Sequence, residues 1–70
     1  MTARFQIIVN GEPREVAAGT TVATLIQELG LAKAACAAEV NKALVPRKQH
    51  GDRMLTERDQ VELVTLVGGG

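Results

Sequence analysis

The chain has 70 residues, of which 46% are hydrophobic and 23% are charged, the composition of one small globular domain. Eight basic residues balance eight acidic ones, and the aromatic residues amount to a single phenylalanine. Such a chain is a poor candidate for binding nucleic acid, because it offers neither a positive field nor aromatic rings on which bases stack. No stretch resembles a signal peptide or a membrane span, so a cytoplasmic protein is expected.

The first predicted unit is a β-hairpin. Residues 4–10 alternate apolar and polar side chains with the period of a strand. Asn10-Gly11 then tolerates the positive φ that a type I′ turn requires. Residues 12–17 form the return strand, and Pro13, which has no N–H to donate, places that strand at the edge of a sheet.

A short amphipathic helix is predicted after the hairpin. Thr21 is a suitable N-cap and Gly30 a suitable stop. A helix of two turns is unstable alone in water, so its apolar stripe is expected to pack on the sheet. The stripe has helical spacing and consists of Val22, Leu25, Ile26 and Leu29.

Residues 35–40 carry two conflicting signals. Their alanine content favours a helix, whereas the alternation of Cys36, Ala38 and Val40 with the residues between them favours a strand. We interpret the segment as a strand, because a turn at 41–42 and a short apolar run at 43–45 follow it directly.

The remaining residues predict a turn and a closing strand. Pro46 stops the apolar run, or opens a single helical turn through His50. Residues 55–59 are typical of a turn, and residues 60–67 alternate as a long last strand.

This order of hairpin, helix and further strands is that of the ubiquitin-like β-grasp, an α+β fold with a mixed sheet of four to five strands packed on one main helix. The last strand of that fold lies beside the first, in parallel, at the centre of the sheet. The face that packs on the helix would carry Phe5, Ile7, Val9, Val61 and Leu63. The other face would present Ile8, Val64 and Leu66 beside each other as a surface for docking a partner, unless the loop at 46–53 folds over them.

The side chains offer little chemistry. One histidine and one cysteine are too few for a zinc site, and the carboxylates are scattered, so we expect no catalytic residue, metal or bound cofactor. Cys36 is interpreted as a small core residue and His50 as an exposed loop residue. The two could form a nucleophilic pair only if the fold joined them.

The end of the sequence, Gly68-Gly69-Gly70, is the remaining candidate. We expect a folded domain over 1–67 and a flexible tail over 68–70, in which Gly70 carries the reactive carboxylate. A carboxylate must be activated before it reacts, and ATP can do this if another protein binds it. Gly68 and Gly69 have no Cβ, so they can extend through a narrow channel of an enzyme and carry the carboxylate about 10 Å beyond the strand.

The sequence resembles the ThiS family, the sulfur carriers of thiamine biosynthesis. The resemblance covers essentially the whole chain. One departure is Arg58, where the family usually has glycine, so we expect either a different turn here or an Arg58 strained into positive φ. The motifs that carry the resemblance are Asn10-Gly11, Gly19-Thr20-Thr21-Val22 with Leu25, Val40-Asn41, Val45-Pro46-Arg47, Leu55, Asp59-Gln60-Val61-Glu62-Leu63-Val64 and Val67-Gly68-Gly69-Gly70.

The resemblance implies a carrier that is acted on by enzymes and is not an enzyme itself. An E1-like adenylyltransferase of the ThiF type, using ATP and magnesium, would adenylate Gly70. A cysteine desulfurase or a rhodanese-like protein would then supply sulfur, and the resulting thiocarboxylate would donate it to the thiazole synthase ThiG. Three alternatives stay open: a carrier of the type of the small subunit of molybdopterin synthase, a ubiquitin-like protein modifier, and a passive binding module.

Overall fold

A computed structural model describes residues 3–66 of the chain. Within that range one sheet of five strands has the order β2-β1-β5-β3-β4. β1 and β5 are parallel neighbours at its centre, and all other neighbours are antiparallel. This architecture confirms the predicted β-grasp. The elements are β1 (Arg4–Val9), β2 (Glu12–Ala17), α1 (Val22–Glu28), β3 (Ala35–Val40), β4 (Ala43–Val45), a 3₁₀ turn (Arg47–Gln49) and β5 (Gln60–Leu66).

The hairpin forms where the sequence predicts it. Asn10 and Gly11 have φ values of +50° and +84°, as a type I′ turn requires. Pro13 lies on β2, which is an edge strand, so its missing N–H removes no hydrogen bond from the sheet. The first strand is one residue shorter than predicted, since it ends at Val9.

The helix α1 is capped at its start by side chain and by backbone. Thr21 Oγ1 accepts a hydrogen bond of 3.1 Å from the N–H of Thr24, which confirms the predicted N-cap. Two further N–H groups of the first turn, which have no partner within a helix, donate to the carbonyls of Arg53 and His50. The segment after β4 therefore packs against the N-terminus of α1. At its other end α1 stops at Glu28, one residue before the predicted Leu29.

β3 is a strand in spite of its alanines, as predicted. It is paired on both sides, with β5 over six residue pairs and with β4 over three. Ala38 is fully buried, so a small side chain is what this position beneath the helix admits. Pairing and burial thus outweigh the helix preference of alanine. Both readings of Pro46 hold, because β4 ends at Val45 and the 3₁₀ turn follows.

The core lies between α1 and one face of the sheet. Of the five residues predicted to face the helix, Ile7, Val61 and Leu63 are buried, and Phe5 and Val9 are partly buried against the core. One core residue lies in a segment interpreted as a plain turn: Leu55 is only 2% exposed. The other buried apolar residues are Val16, Val22, Leu25, Ile26, Ala38, Val40 and Val45.

Candidate functional site

The sheet face opposite the helix carries an exposed apolar surface at the end of β5. Val64 and Leu66 are each 57% exposed, and Leu44 on β4 is 67% exposed. Ala37 lies opposite Val64 and Ala35 opposite Leu66, whereas Leu44 lies opposite the exposed Glu39. Leu44, Leu66 and the two alanines also line one shallow depression of about 230 Å³. We call Leu44, Val64 and Leu66, with Ala35 and Ala37, the outer apolar surface.

Ile8 does not belong to this surface, which corrects the expectation that Ile8, Val64 and Leu66 lie beside each other. In the parallel pairing of β1 and β5, Ile8 is opposite Gln60. Val64 is four residues further along β5, a distance of about 13 Å. Ile8 is half-buried and lines a separate depression with Gln6, Glu57 and Arg58. Leu44 replaces Ile8 in the outer apolar surface. The sequence did not indicate this, because the position of Leu44 depends on the pairing of β4 with β3.

The loop at 46–53 leaves Leu44, Val64 and Leu66 more than half exposed, although its Pro46, Arg47 and His50 line the same depression as Leu44 and Leu66. Its carbonyls bond to the N-terminus of α1, on the helix side of the sheet. The interpretation of His50 as an exposed loop residue is wrong, since His50 is 8% exposed. Its Nε2–H donates to the carbonyl of Val45 at 3.0 Å. His50 therefore fastens the 3₁₀ turn to the end of β4, a structural role.

The side chain of Asn10 anchors β5 at the point where β1 ends. The N–H of Leu63 donates to Asn10 Oδ1 at 2.8 Å, and Asn10 Nδ2 donates to the carbonyl of Leu63 at 3.2 Å. This amide thus takes the place of one further residue of β1 beside β5. Asn10 was predicted as a turn residue alone, because its partner is 53 positions away along the chain.

The turn before β5 is fastened by a buried carboxylate. Asp59 is 5% exposed. Its Oδ2 accepts from the N–H of Thr56 at 2.8 Å, and its Oδ1 accepts from the Thr56 hydroxyl and from Asn41 Nδ2. Asn41 also accepts from the N–H of Gln60 at 2.9 Å, so the start of β5 is tied to the β3–β4 turn.

The acidity of Asp59 and the backbone of Arg58 reflect this arrangement. Burial acts to raise the pKa of Asp59, but the hydrogen bonds from Thr56 and Asn41, with the positive charge of Arg53, hold that pKa below its ordinary value. Arg58 has a φ of +69°, so of the two alternatives considered for this position the structure shows the strained residue. The turn therefore carries a stabilising cluster beside a strained residue.

Cys36 is a half-buried thiol packed against the core. Burial raises its pKa, so the group is a neutral thiol at neutral pH. Cys36 and His50 line the same two depressions, yet no hydrogen bond joins them among the residues described. The nucleophilic pair considered from the sequence does not form, since neither a base contact nor a lowered pKa activates the thiol.

The glycines predicted to carry the chemistry, Gly68, Gly69 and Gly70, lie outside the described residues. Across residues 3–66 no group of three or more histidine, cysteine or carboxylate side chains is placed to hold a metal ion. The single α-helix of the same range is too short to cross a membrane. Within that range, the outer apolar surface and the anchored end of β5 are the candidate docking features.

Comparison with known proteins supports the resemblance seen in the sequence. The model of the ThiS family matches residues 7–70. The sulfur carrier protein ThiS of Escherichia coli is 34% identical over 66 residues, which cover 94% of this chain and all of that protein. The crystal structure of a thiamine biosynthesis protein, ThiS of Geobacter metallireducens, superimposes with a TM-score of 0.75 at 28% identity, and the match covers 94% of this chain and 100% of that one.

Longer relatives also contain a similar segment. A thiazole synthase of Magnetococcus marinus is 46% identical over 66 residues, which cover 94% of this chain. A thiazole synthase of Paramagnetospirillum magneticum is 34% identical over a segment of the same length. The chain spans about a fifth of the length of these two proteins. With a family model that matches nearly the whole chain and a homologue covered from end to end, the chain belongs to the ThiS family.

Proposed function

We propose that this protein is a sulfur carrier of thiamine biosynthesis and that it donates sulfur to the thiazole ring. The carboxylate of Gly70 is adenylated by an E1-like enzyme of the ThiF type, which uses ATP and magnesium. A cysteine desulfurase or a rhodanese-like protein supplies the sulfur. The thiocarboxylate then passes its sulfur to a thiazole synthase of the ThiG type, and the carboxylate is restored.

The observation that carries this proposal is the position of β5. The strand runs through the centre of the sheet, is anchored by Asn10 at Leu63, and ends at Leu66, which belongs to the outer apolar surface. The sequence Val67-Gly68-Gly69-Gly70 follows directly. A paired strand thus leads directly to three glycines, which have no side chains. The strand itself carries part of an apolar surface on which a partner can dock.

The chemistry assigns the protein the role of a co-substrate. In the proposed cycle the carboxylate of Gly70 attacks the α-phosphate of ATP and pyrophosphate leaves. A persulfide then attacks the acyl carbon and AMP leaves, and a second thiol cleaves the sulfur–sulfur bond to give the thiocarboxylate. Adenylation is required because an ionised carboxylate is a poor electrophile. The described side chains, with their buried His50 and neutral Cys36 thiol, are not arranged to perform these steps.

The partners follow from the chemistry and from the relatives. Two relatives named as thiazole synthases contain a segment similar to this chain within a longer polypeptide, which supports a thiazole synthase as the acceptor of the sulfur. Docking is assigned to Val64 and Leu66, together with Leu44. Ile8 is a separate contact in this proposal, because it lies about 13 Å from Val64 along the sheet.

The test is conversion of the intact protein. Incubation with ATP, a ThiF-type activator and a sulfur donor is expected to give a species whose mass shows one oxygen replaced by sulfur. A variant that lacks Gly70 is the matched control, and we expect it to fold normally and to remain unconverted. If an activator of proven competence produces no such species from the full chain, the proposed function is wrong.

A second experiment identifies the pathway. The thiocarboxylate form is offered separately to thiazole synthase with its other substrates and to the large subunit of molybdopterin synthase. Formation of the thiazole product alone would support the proposal. Turnover by the molybdopterin enzyme alone, or recovery of the protein joined to lysine side chains, would assign the same tail to a different pathway and overturn it.

A further inference from the structure

The last residues of β5 have a strand on one side and none on the other. β1 pairs with β5 at Ile8–Gln60 and Val9–Val61, and the side chain of Asn10 then bonds to Leu63. On the opposite side β3 accompanies β5 as far as the pair Ala35–Leu66. From Val64 onward, β5 is therefore an open edge in the middle of the sheet.

The backbone groups of Thr65 face this open edge. The carbonyls of Asp59 and Val61 accept from β1 and from Asn10, and Leu63 bonds to the Asn10 side chain, so the odd-numbered residues of this stretch point to that side. Gln60 points the other way, since its carbonyl accepts from the N–H of Asn41 beyond β3. Successive residues of a strand alternate, so the N–H and carbonyl of Thr65 continue the odd-numbered row. Among residues 3–66 no other strand lies beside them.

This open edge lacks the protection that the outer edges of the sheet have. On one outer edge β2 carries Pro13 among charged residues, and on the other β4 is three residues long. Proline, charge and short length are ways in which proteins prevent unwanted strand pairing. Val64-Thr65-Leu66 is as short as β4, but it carries neither proline nor charge, and Val64 and Thr65 favour β-structure. Its local chemistry is that of a strand suited to pairing with another chain.

We propose that an extended backbone segment of thiazole synthase pairs with β5 at Thr65 and so adds a strand to the sheet. The inference rests on the proposed function, because an enzyme that takes sulfur from Gly70 has to hold the chain that continues from Leu66. Pairing at Thr65 fixes the direction of that chain, since backbone hydrogen bonds set register and orientation. Thr65 also lies between Val64 and Leu66, so one partner can contact the edge and the outer apolar surface together.

Amide hydrogen exchange tests the pairing directly on the unaltered protein. In the free protein we expect the Thr65 N–H to exchange quickly and the Val64 N–H, which points toward β3, to exchange slowly. Addition of thiazole synthase is expected to slow exchange at Thr65 while Val64 remains protected. An unchanged exchange rate at Thr65 in a complex shown to be saturated would overturn the proposal.

A pair of variants separates backbone from side chain. Thr65→Pro removes the N–H that faces the open edge and leaves the hydrogen bonds between β3 and β5 in place. Thr65→Val is the matched control, because it keeps the N–H and replaces the hydroxyl with a methyl group. We expect Thr65→Pro to raise the Kd for thiazole synthase about five- to tenfold, the effect of one backbone hydrogen bond, and Thr65→Val to leave it unchanged.

The outcomes distinguish this proposal from the proposed function. Equal affinities for the two variants, with equal unfolding midpoints, would contradict strand pairing while conversion of Gly70 and thiazole formation still stood. If a competent activator does not convert the full chain, the proposed function is wrong, and the strand-pairing proposal that rests on it is wrong as well. The exchange experiment covers the case in which Thr65→Pro unfolds, because it requires no substitution.

Discussion

Replacement of Asp59 by Asn tests the account of the turn before β5. The substitution keeps the size of the side chain and removes its charge and one of its two acceptor oxygens. Oδ2 of Asp59 accepts from the N–H of Thr56, and Oδ1 accepts from Asn41 Nδ2 and the Thr56 hydroxyl. An asparagine places its oxygen at one of these positions and an NH₂ group at the other, where a donor then faces a donor.

The magnitude follows from the burial of the site. Asp59 is 5% exposed, so water cannot easily satisfy the donor that loses its partner. A buried unsatisfied donor lowers the free energy of unfolding by about 1 to 3 kcal/mol. In a domain of this size each kcal/mol corresponds to about 4 to 8 °C in the unfolding midpoint, which circular dichroism measures easily. Asp52→Asn is the matched control, because it removes the same charge at an exposed position.

The difference in stability between the native protein and Asp59→Asn should depend on pH, and this dependence can refute the role assigned to Asp59. Because the pKa of Asp59 is lowered in the folded state, its contribution to stability is complete above the unfolded pKa and is lost as the pH falls through the folded pKa. The gap in stability between the native protein and Asp59→Asn should therefore narrow below about pH 4. A gap that is absent at neutral pH, or that stays constant on acidification, would refute the assigned role.

Three further substitutions test other parts of the structure. Asn10→Asp keeps the shape of the side chain but sets an oxygen against the Leu63 carbonyl. Denaturant titration should therefore show that the free energy of unfolding falls by about 1 to 3 kcal/mol at neutral pH and partly recovers in acid. Arg58→Gly removes strain at positive φ and should raise the unfolding free energy in the same titration by about 1 kcal/mol; a loss would contradict the strain. Leu66→Asp should leave the unfolding midpoint nearly unchanged, because the side chain is exposed, and should weaken binding to thiazole synthase measured by calorimetry; equal binding would remove Leu66 from the docking surface.

The parts of the fold that depend on local chemistry were predictable. Asn10-Gly11 requires positive φ whatever surrounds it, Pro13 cannot donate to a neighbouring strand, and Thr21 can cap the residues that follow it. Each of these signals acts at its own position or on residues close to it in the sequence. The alternation of residues 35–40, together with the turn and the apolar run that follow it, also predicted a strand against the helix preference of alanine.

The parts that depend on distant pairing were not predictable in the same way. Alternation showed that Ile8 and Val64 share a face, but the offset between them depends on the register of β1 against β5, which no local pattern encodes. His50 was interpreted as exposed because its neighbours are polar, whereas a contact with Val45 buries it. Strand pairing also explains why Leu44 belongs to the candidate docking surface and Ile8 does not, since the positions of both residues depend on it.

Two asparagine side chains explain how β5 holds its position near both ends. Asn41 bonds to Asp59 and to the N–H of Gln60 at the start of the strand, and Asn10 bonds to Leu63 near its end. Both residues have positive φ, so each serves its own turn and also takes the place of backbone beside β5. These contacts all precede Val64. The residues that a partner would contact, from Val64 onward, therefore do not anchor β5 through these side-chain contacts. Their side chains can vary with the requirements of binding and chemistry.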